Sequence, residues 1–140
     1  MNFSLQSCEL QEIGITFMRV CFGLLFIRHG FPKLLKGPEE WLWLGQQMAN
    51  LGITFAPYFW GLCAVFAELV GGMALTVGFG TRFFALLLAF AMFVATVHHI
   101  AKGDSYGYIA FPLSQMVVFI TLALVGGGPY SIDKLISNRF

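Results

Sequence analysis

The fold this sequence predicts is all-α: an integral membrane four-helix bundle with a short interfacial helix between spans 1 and 2. Two observations carry that expectation. The 140 residues are 58% hydrophobic and only 11% charged, whereas soluble domains average about 25% charged. Small domains hide only about two-thirds of their unfolded surface, so lipid must cover much of what remains apolar here. The apolar residues also fall into four runs, at 13–35, 57–79, 83–101 and 106–125. Each approaches the roughly 20 residues that a hydrocarbon core demands. No linker, internal repeat or low-complexity tract divides them, so residues 1–140 read as a single domain. The net charge of +1 gives no electrostatic support for nucleic-acid binding. The expected surroundings are a lipid bilayer.

The N-terminal MNFSLQSCELQEI has no basic stretch before an apolar core. It does not read as a cleavable signal, and the first span then serves as an uncleaved anchor. Cys8, Cys21 and Cys63 are scattered, without C-x-x-C or C-x-x-C-H. That argues against a dithiol redox motif and covalent c-type haem.

The first span is interrupted by Arg19, Arg28, His29 and Lys33. Arg19, Phe26 and Lys33 recur every seven positions and share a face, with His29 in the same broad stripe. Arg28 points the opposite way and reads as a snorkelling side chain. Pro32 is expected to kink the last turn or end the helix near Phe31. Residues 36–56 differ. Pro38 followed by Glu39 and Glu40 is a helix start whose acids complement the dipole. Trp41, Leu44, Met48 and Leu51 then recur at helical spacing. The segment is too short to cross, so it lies at the interface with Trp41 and Trp43 at headgroup depth, or forms a lid over the bundle mouth.

The second span carries Glu68 near its middle. A carboxylate in hydrocarbon costs roughly 2.5–3.5 kcal/mol on insertion scales, so such groups face a bundle interior and have a partner. Ala64, Gly71, Gly72 and Gly78 let another helix approach closely, which makes this the central helix. The short turn at Gly80 and Thr81 sends the third span back antiparallel. There Ala85, Ala89, Met92, Thr96 and His99 form one face of small or polar residues, and His98 and His99 close the helix. The fourth span carries Pro112, Ser114, Gln115 and Thr121. Gly126 to Pro129 end it, and Tyr130 to Phe140 read as a short polar tail. Those glycines are not a phosphate cradle, because no P-loop lysine follows them. Basic residues near the span ends are evenly split, so charge bias leaves the orientation open.

The up-down order places His29, Lys33, His98 and His99 toward the side opposite the termini. Glu68 lies roughly 18 Å into its span from that side, as the floor of a polar cavity with histidines at its mouth. Arg19, Arg82 and Asp133 gather on the terminal side, where Arg82 and Asp133 are the expected structural ion pair. Neighbouring His98 and His99 diverge by about 100°, so one is expected to face inward, and no metal site is predicted. Three chemical readings stand. Glu68 with Arg19, His29 or Lys33 forms a proton-handling site beside a quinone. His29 with His98 or His99 ligates haem, a weaker reading because the spacing does not demand it. Or the groups satisfy one another and specify helix packing.

Four motifs in order resemble the DoxX family of small four-helix bacterial membrane proteins. RVCFGLLFIRHGFPK resembles its R-x-x-x-G…HG-x-x-K pattern through Arg19, Gly23, His29, Gly30 and Lys33. AELVGGMALTVGFGTR is similar to its E-x-x-G-G…G…TR signature through Glu68, Gly71, Gly72, Gly78, Thr81 and Arg82. A histidine closes span three, at His98 or His99. GGGPYSID resembles its G-P-G…S-x-D ending through Gly126, Gly128, Ser131 and Asp133, with Gly127 where the family has proline. The resemblance implies a helical bundle in the bacterial cytoplasmic (inner) membrane with cytoplasmic termini. It also implies kinship with subunits of thiosulfate:quinone oxidoreductase and with membrane oxidoreductases linked to thiol and oxidative stress.

The leading expectation is therefore a membrane oxidoreductase subunit with a quinone-adjacent pocket, its redox centre supplied by a partner subunit. Glu68 is the buried proton acceptor, Arg19 or Lys33 compensates its charge, and His29 relays protons to the mouth, where His98 and His99 border the cofactor. The alternative is a non-enzymatic scaffold or small-molecule carrier using the same cavity. Candidate protein partners are that redox subunit and further copies of this chain.

Overall fold

The computed structural model describes residues 3–138, with side chains from residue 9 onward. The thiol of Cys8 and the terminal-side charge of Arg139 lie outside that description. The elements are α1 (Phe3–Lys36), α2 (Pro38–Gln46) running into a 3-10 turn (Gln47–Leu51), α3 (Pro57–Val77), α4 (Thr81–Lys102), α5 (Tyr106–Val125) and α6 (Ile132–Ser137). Four helices are long and apolar enough to cross a membrane: Glu9–Lys36, Pro57–Val77, Thr81–Lys102 and Tyr106–Val125. The predicted all-α bundle, with a shorter helix between spans 1 and 2, is the observed one.

Two boundaries differ from expectation. The first helix begins ten residues before the apolar run, at Phe3, and it passes through Pro32 to Lys36. Proline removes one helical hydrogen bond, to the carbonyl four residues earlier. Here that residue is Arg28, on the exposed face, where the loss costs least. Gly37, at φ 81°, ends the helix instead. The tail is also more than a polar extension. Ser131 caps α6, its Oγ accepting from the Lys134 amide at 3.3 Å.

The central helix is α3, and its glycines divide between two neighbours. Gly72 faces α1, where an added Cβ would lie 2.8 Å from the Gly23 carbonyl and 2.8 Å from the Ile27 amide. Gly71 faces Leu88 of α4. One turn along, Gly30 of α1 rests on the backbone at Glu68 and Leu69. The third-span face predicted from Ala85, Ala89, Met92 and Thr96 is buried. Phe119 packs edge-on against Phe26 and Phe22, with centroids 4.7 and 5.9 Å apart, and this joins α5 to α1.

The helix α2 is a lid, held by backbone contact with α3. A Cβ on Gly45 would overlap the Pro57 carbonyl, and one on Gly61 would overlap the Trp41 carbonyl. Neither obstacle can rotate away. Overpacking of this kind costs about 1–3 kcal/mol or more. Gly61→Val is therefore expected to raise amide hydrogen exchange across residues 38–51 by about tenfold or more. Gly107→Ala, where a Cβ meets nothing within 4 Å, is the control. Equal protection in both variants would remove the glycine contact as the lid's anchor.

Candidate functional site: a lidded cavity around Glu68

The contact of Gly30 with the Glu68–Leu69 backbone fixes what lies one turn further along α1. Lys33 shares that face, and its Nζ donates to both Glu68 carboxylate oxygens, each at 2.7 Å. Glu68 is 4% exposed. The buried acid thus has a cation, and the cation is Lys33. Trp41 Nε1 donates to the Lys33 carbonyl at 3.1 Å, which ties the end of α1 to the lid.

Beyond the pair opens a cavity of about 520 Å³, enclosed by α1, the lid, α3, α4 and the start of α5. Its walls are mostly apolar and aromatic. Its polar groups are few: Lys33, Glu68, Gln47, the three histidines and the indole N–H groups of Trp43 and Trp60. His29 donates from Nδ1 to the Leu25 carbonyl at 2.9 Å. Its ring stacks between Phe26 and Phe111. Contrary to expectation, both His98 and His99 border the cavity. The divergence sends one ring to the lid and the other to α5. His98 turns to the lid, where Asn50 Nδ2 donates to its Nδ1 at 3.3 Å. His99 turns to α5, stacking on Tyr108, and donates from Nδ1 to Asp104 Oδ2 at 2.7 Å.

Sequence reasoning missed Asp104, which looks like an ordinary turn residue. The His99 hydrogen bond holds its carboxyl below the usual carboxylate value, with Lys102 adding to the effect. A depressed carboxylate pKa means the contact contributes fully above the ordinary value of 3.8 and is lost as pH falls through the lowered one. The available signal was the five-residue step from His99 to Asp104 around Gly103, which turns the chain back over the helix end.

The remaining predicted residues do not meet Glu68. Arg19 is two heptads before Lys33, roughly 21 Å away along α1, and 1% exposed. Its Nη1 donates to the Leu75 and Thr76 carbonyls at 2.6 and 3.0 Å, and its Nη2 to the Tyr130 carbonyl at 2.9 Å. Leu75 and Thr76 belong to the last turn of α3, where carbonyls run short of helical donors; among the described residues Leu75 has only the Gly78 amide at 3.2 Å besides Arg19. Arg19 is thus a cap for α3, not a counter-ion for Glu68. The expected Arg82–Asp133 ion pair is not formed among the described residues. Asp133 instead accepts from the Gly80 and Thr81 amides at 2.7 and 2.9 Å. Those orphan donors open α4, and the positive end of its dipole favours a carboxylate. Arg82 is left exposed beside Gly126.

Fold and cavity together define a class: a multi-pass membrane protein whose helices enclose a lidded, largely apolar chamber with one buried ion pair. The DoxX family model matches residues 14–100, more than half the chain, and the chain belongs to the DoxX family, as its motifs led us to expect. It is 28% identical to Inner membrane protein YqjF of Escherichia coli (strain K12) over 135 residues, 94% of this chain and 98% of that one. It is 33% identical to Inner membrane protein YphA of the same organism over 132 residues, 89% and 91% of the two chains. It is also 28% identical over 125 residues to a Bacillus subtilis (strain 168) protein named "Putative oxidoreductase CatD", covering 89% and 88%. No solved structure gives a significant match. With four spans and inner-membrane relatives, the protein is a multi-pass inner membrane protein.

Proposed function

We propose that the cavity binds the head ring of a membrane quinone and that the protein is a subunit of a membrane oxidoreductase. The electrons come from a redox centre on a partner subunit. The observation that carries this reading is the Lys33–Glu68 pair, with Nζ 2.7 Å from both carboxylate oxygens, set in a largely apolar, aromatic-walled chamber. Ligand sites of about 300–1,000 Å³ are typically apolar with a few placed polar groups. An ammonium has three donors, and Glu68 takes two. The third is free for a quinone carbonyl oxygen. Reduction of a quinone to a quinol consumes two electrons and two protons. Lys33 with Glu68 supplies protons at the ring, and the histidines connect the cavity to the aqueous mouth. The name of the Bacillus subtilis relative supports an oxidoreductase role.

The test is titration of the purified protein, in lipid nanodiscs, with a benzoquinone carrying one isoprenoid unit. The readout is quenching of Trp43 and Trp60, both on the cavity wall. Saturable quenching is expected in the natural protein and its loss in the Lys33→Met/Glu68→Leu double variant. Linear, unsaturable quenching in both would sink the proposal. Saturable binding without quinone-dependent electron transfer in native membranes would reassign the cavity to a carrier or scaffold.

A further inference from the structure

The three cavity histidines differ in what holds them from behind, and that sets what each presents in front. A neutral imidazole carries one N–H and one lone pair, and the group bound at one nitrogen decides the role of the other. At His99, Nδ1 faces the Asp104 carboxylate, which only accepts, so Nδ1 carries the proton and Nε2 is left as an acceptor. His29 is set the same way by the Leu25 carbonyl. His98 is set oppositely. Asn50 Nδ2 gives one hydrogen to the Gln47 carbonyl at 3.0 Å and directs the other to His98 Nδ1. His98 Nδ1 therefore accepts, and its Nε2–H donates.

We propose that the cavity is wired to receive both redox forms of its ligand, with Asp104 as the positioning residue that makes His99 an acceptor for a quinol hydroxyl. Lys33 and His98 offer donors, which a quinone carbonyl needs. His99 and His29 offer acceptors, which only a quinol can use. Asp104 touches no ligand. It acts by holding the proton on the far side of the His99 ring, as an outer partner does for a metal-bound histidine. The proposal deepens the quinone reading and rests on it for the ligand. The wiring itself is a property of the chain alone.

The experiment uses the full chain in nanodiscs and has two arms. In the first, 15N spectra of histidine-labelled protein are recorded at a pH where the rings are neutral, with His98→Gln and His99→Gln for assignment. His99 is expected as the Nδ1–H tautomer and His98 as Nε2–H, with Asp104→Ala moving His99 to Nε2–H. His99 found as Nε2–H in the natural protein, or unmoved by Asp104→Ala, overturns the proposal. In the second arm, the one-isoprenoid quinone and its quinol are titrated separately. Asp104→Ala is expected to weaken the quinol about fivefold, the loss of one hydrogen bond, and to leave the quinone no weaker. Asp104→Glu, which keeps a carboxylate, is expected to recover most of that loss. Equal weakening of both forms would mean a structural role only and overturns the assignment. Binding of neither form by the natural protein would end the quinone reading, and the tautomer arm alone would then decide the wiring.

Discussion

Lys33→Met is expected to destabilise the protein by about 3–5 kcal/mol, the usual cost of leaving one member of a buried ion pair without its partner. The side chain of Glu68 is 5% exposed, against 24% for Lys33, so the stranded carboxylate is the more deeply buried of the two. Glu68→Leu is expected to cost less, because the lysine stem can turn its ammonium toward the mouth. Lys33→Met/Glu68→Leu should recover most of the loss, since an apolar pair of similar volume often replaces a buried ion pair at little cost. Denaturation midpoints in detergent measure all three. Glu39→Ala, at an exposed lid position, supplies the baseline. A Lys33→Met midpoint equal to that baseline would show the pair to be dispensable for the fold. A double variant that folds but fails to quench with quinone would separate the architecture of the cavity from its chemistry.

Arg19→Met should come next in effect. It removes the guanidinium, itself 1% exposed, from three carbonyls, those of Leu75, Thr76 and Tyr130, of which Leu75 keeps the Gly78 amide. Each buried group left unsatisfied costs about 1–3 kcal/mol, so a loss of about 2 kcal/mol is expected. The damage should be local first. The tail from Tyr130 onward should become sensitive to protease while the cavity still forms. Arg19→Lys should fall between, because one ammonium cannot reproduce the planar fork that spans α3 and the tail together. If cleavage of the tail in Arg19→Met proceeds no faster than in the natural protein, Arg19 does not hold it.

Much of this architecture could be read from residue pattern. Apolar run length marked four spans. The seven-residue recurrence of Arg19, Phe26 and Lys33 marked the face of α1 that is indeed turned inward. The placement of an acid inside α3 demanded a cation, and up-down order put the histidines near the same end. What pattern could not supply was depth and the backbone. Arg19 and Lys33 look equivalent on a helical wheel, yet they lie two heptads apart along α1, and only one can reach Glu68. Asp133 seemed to need Arg82 because side chains are what a sequence displays. Its partners are two amide hydrogens exposed by the start of α4. The contacts of Gly45 with Pro57 and of Gly61 with Trp41 are likewise backbone on backbone, and no apolar periodicity announces them. Asp104 was overlooked because a polar residue after a helix-ending glycine usually faces solvent. Here the turn brings it back to His99.

The tail's grip on the rest of the molecule has a consequence for how the protein is made. Gly80 and Thr81 are capped by Asp133, and Arg19 is satisfied in part by Tyr130. All four spanning helices therefore precede these ligands in the chain. Until residues 130–133 dock, the turn between α3 and α4 keeps open amides and Arg19 keeps one free arm, its Nη2. Insertion of the four helices thus leaves a bundle with one unlatched end, which docking of residues 130–133 closes.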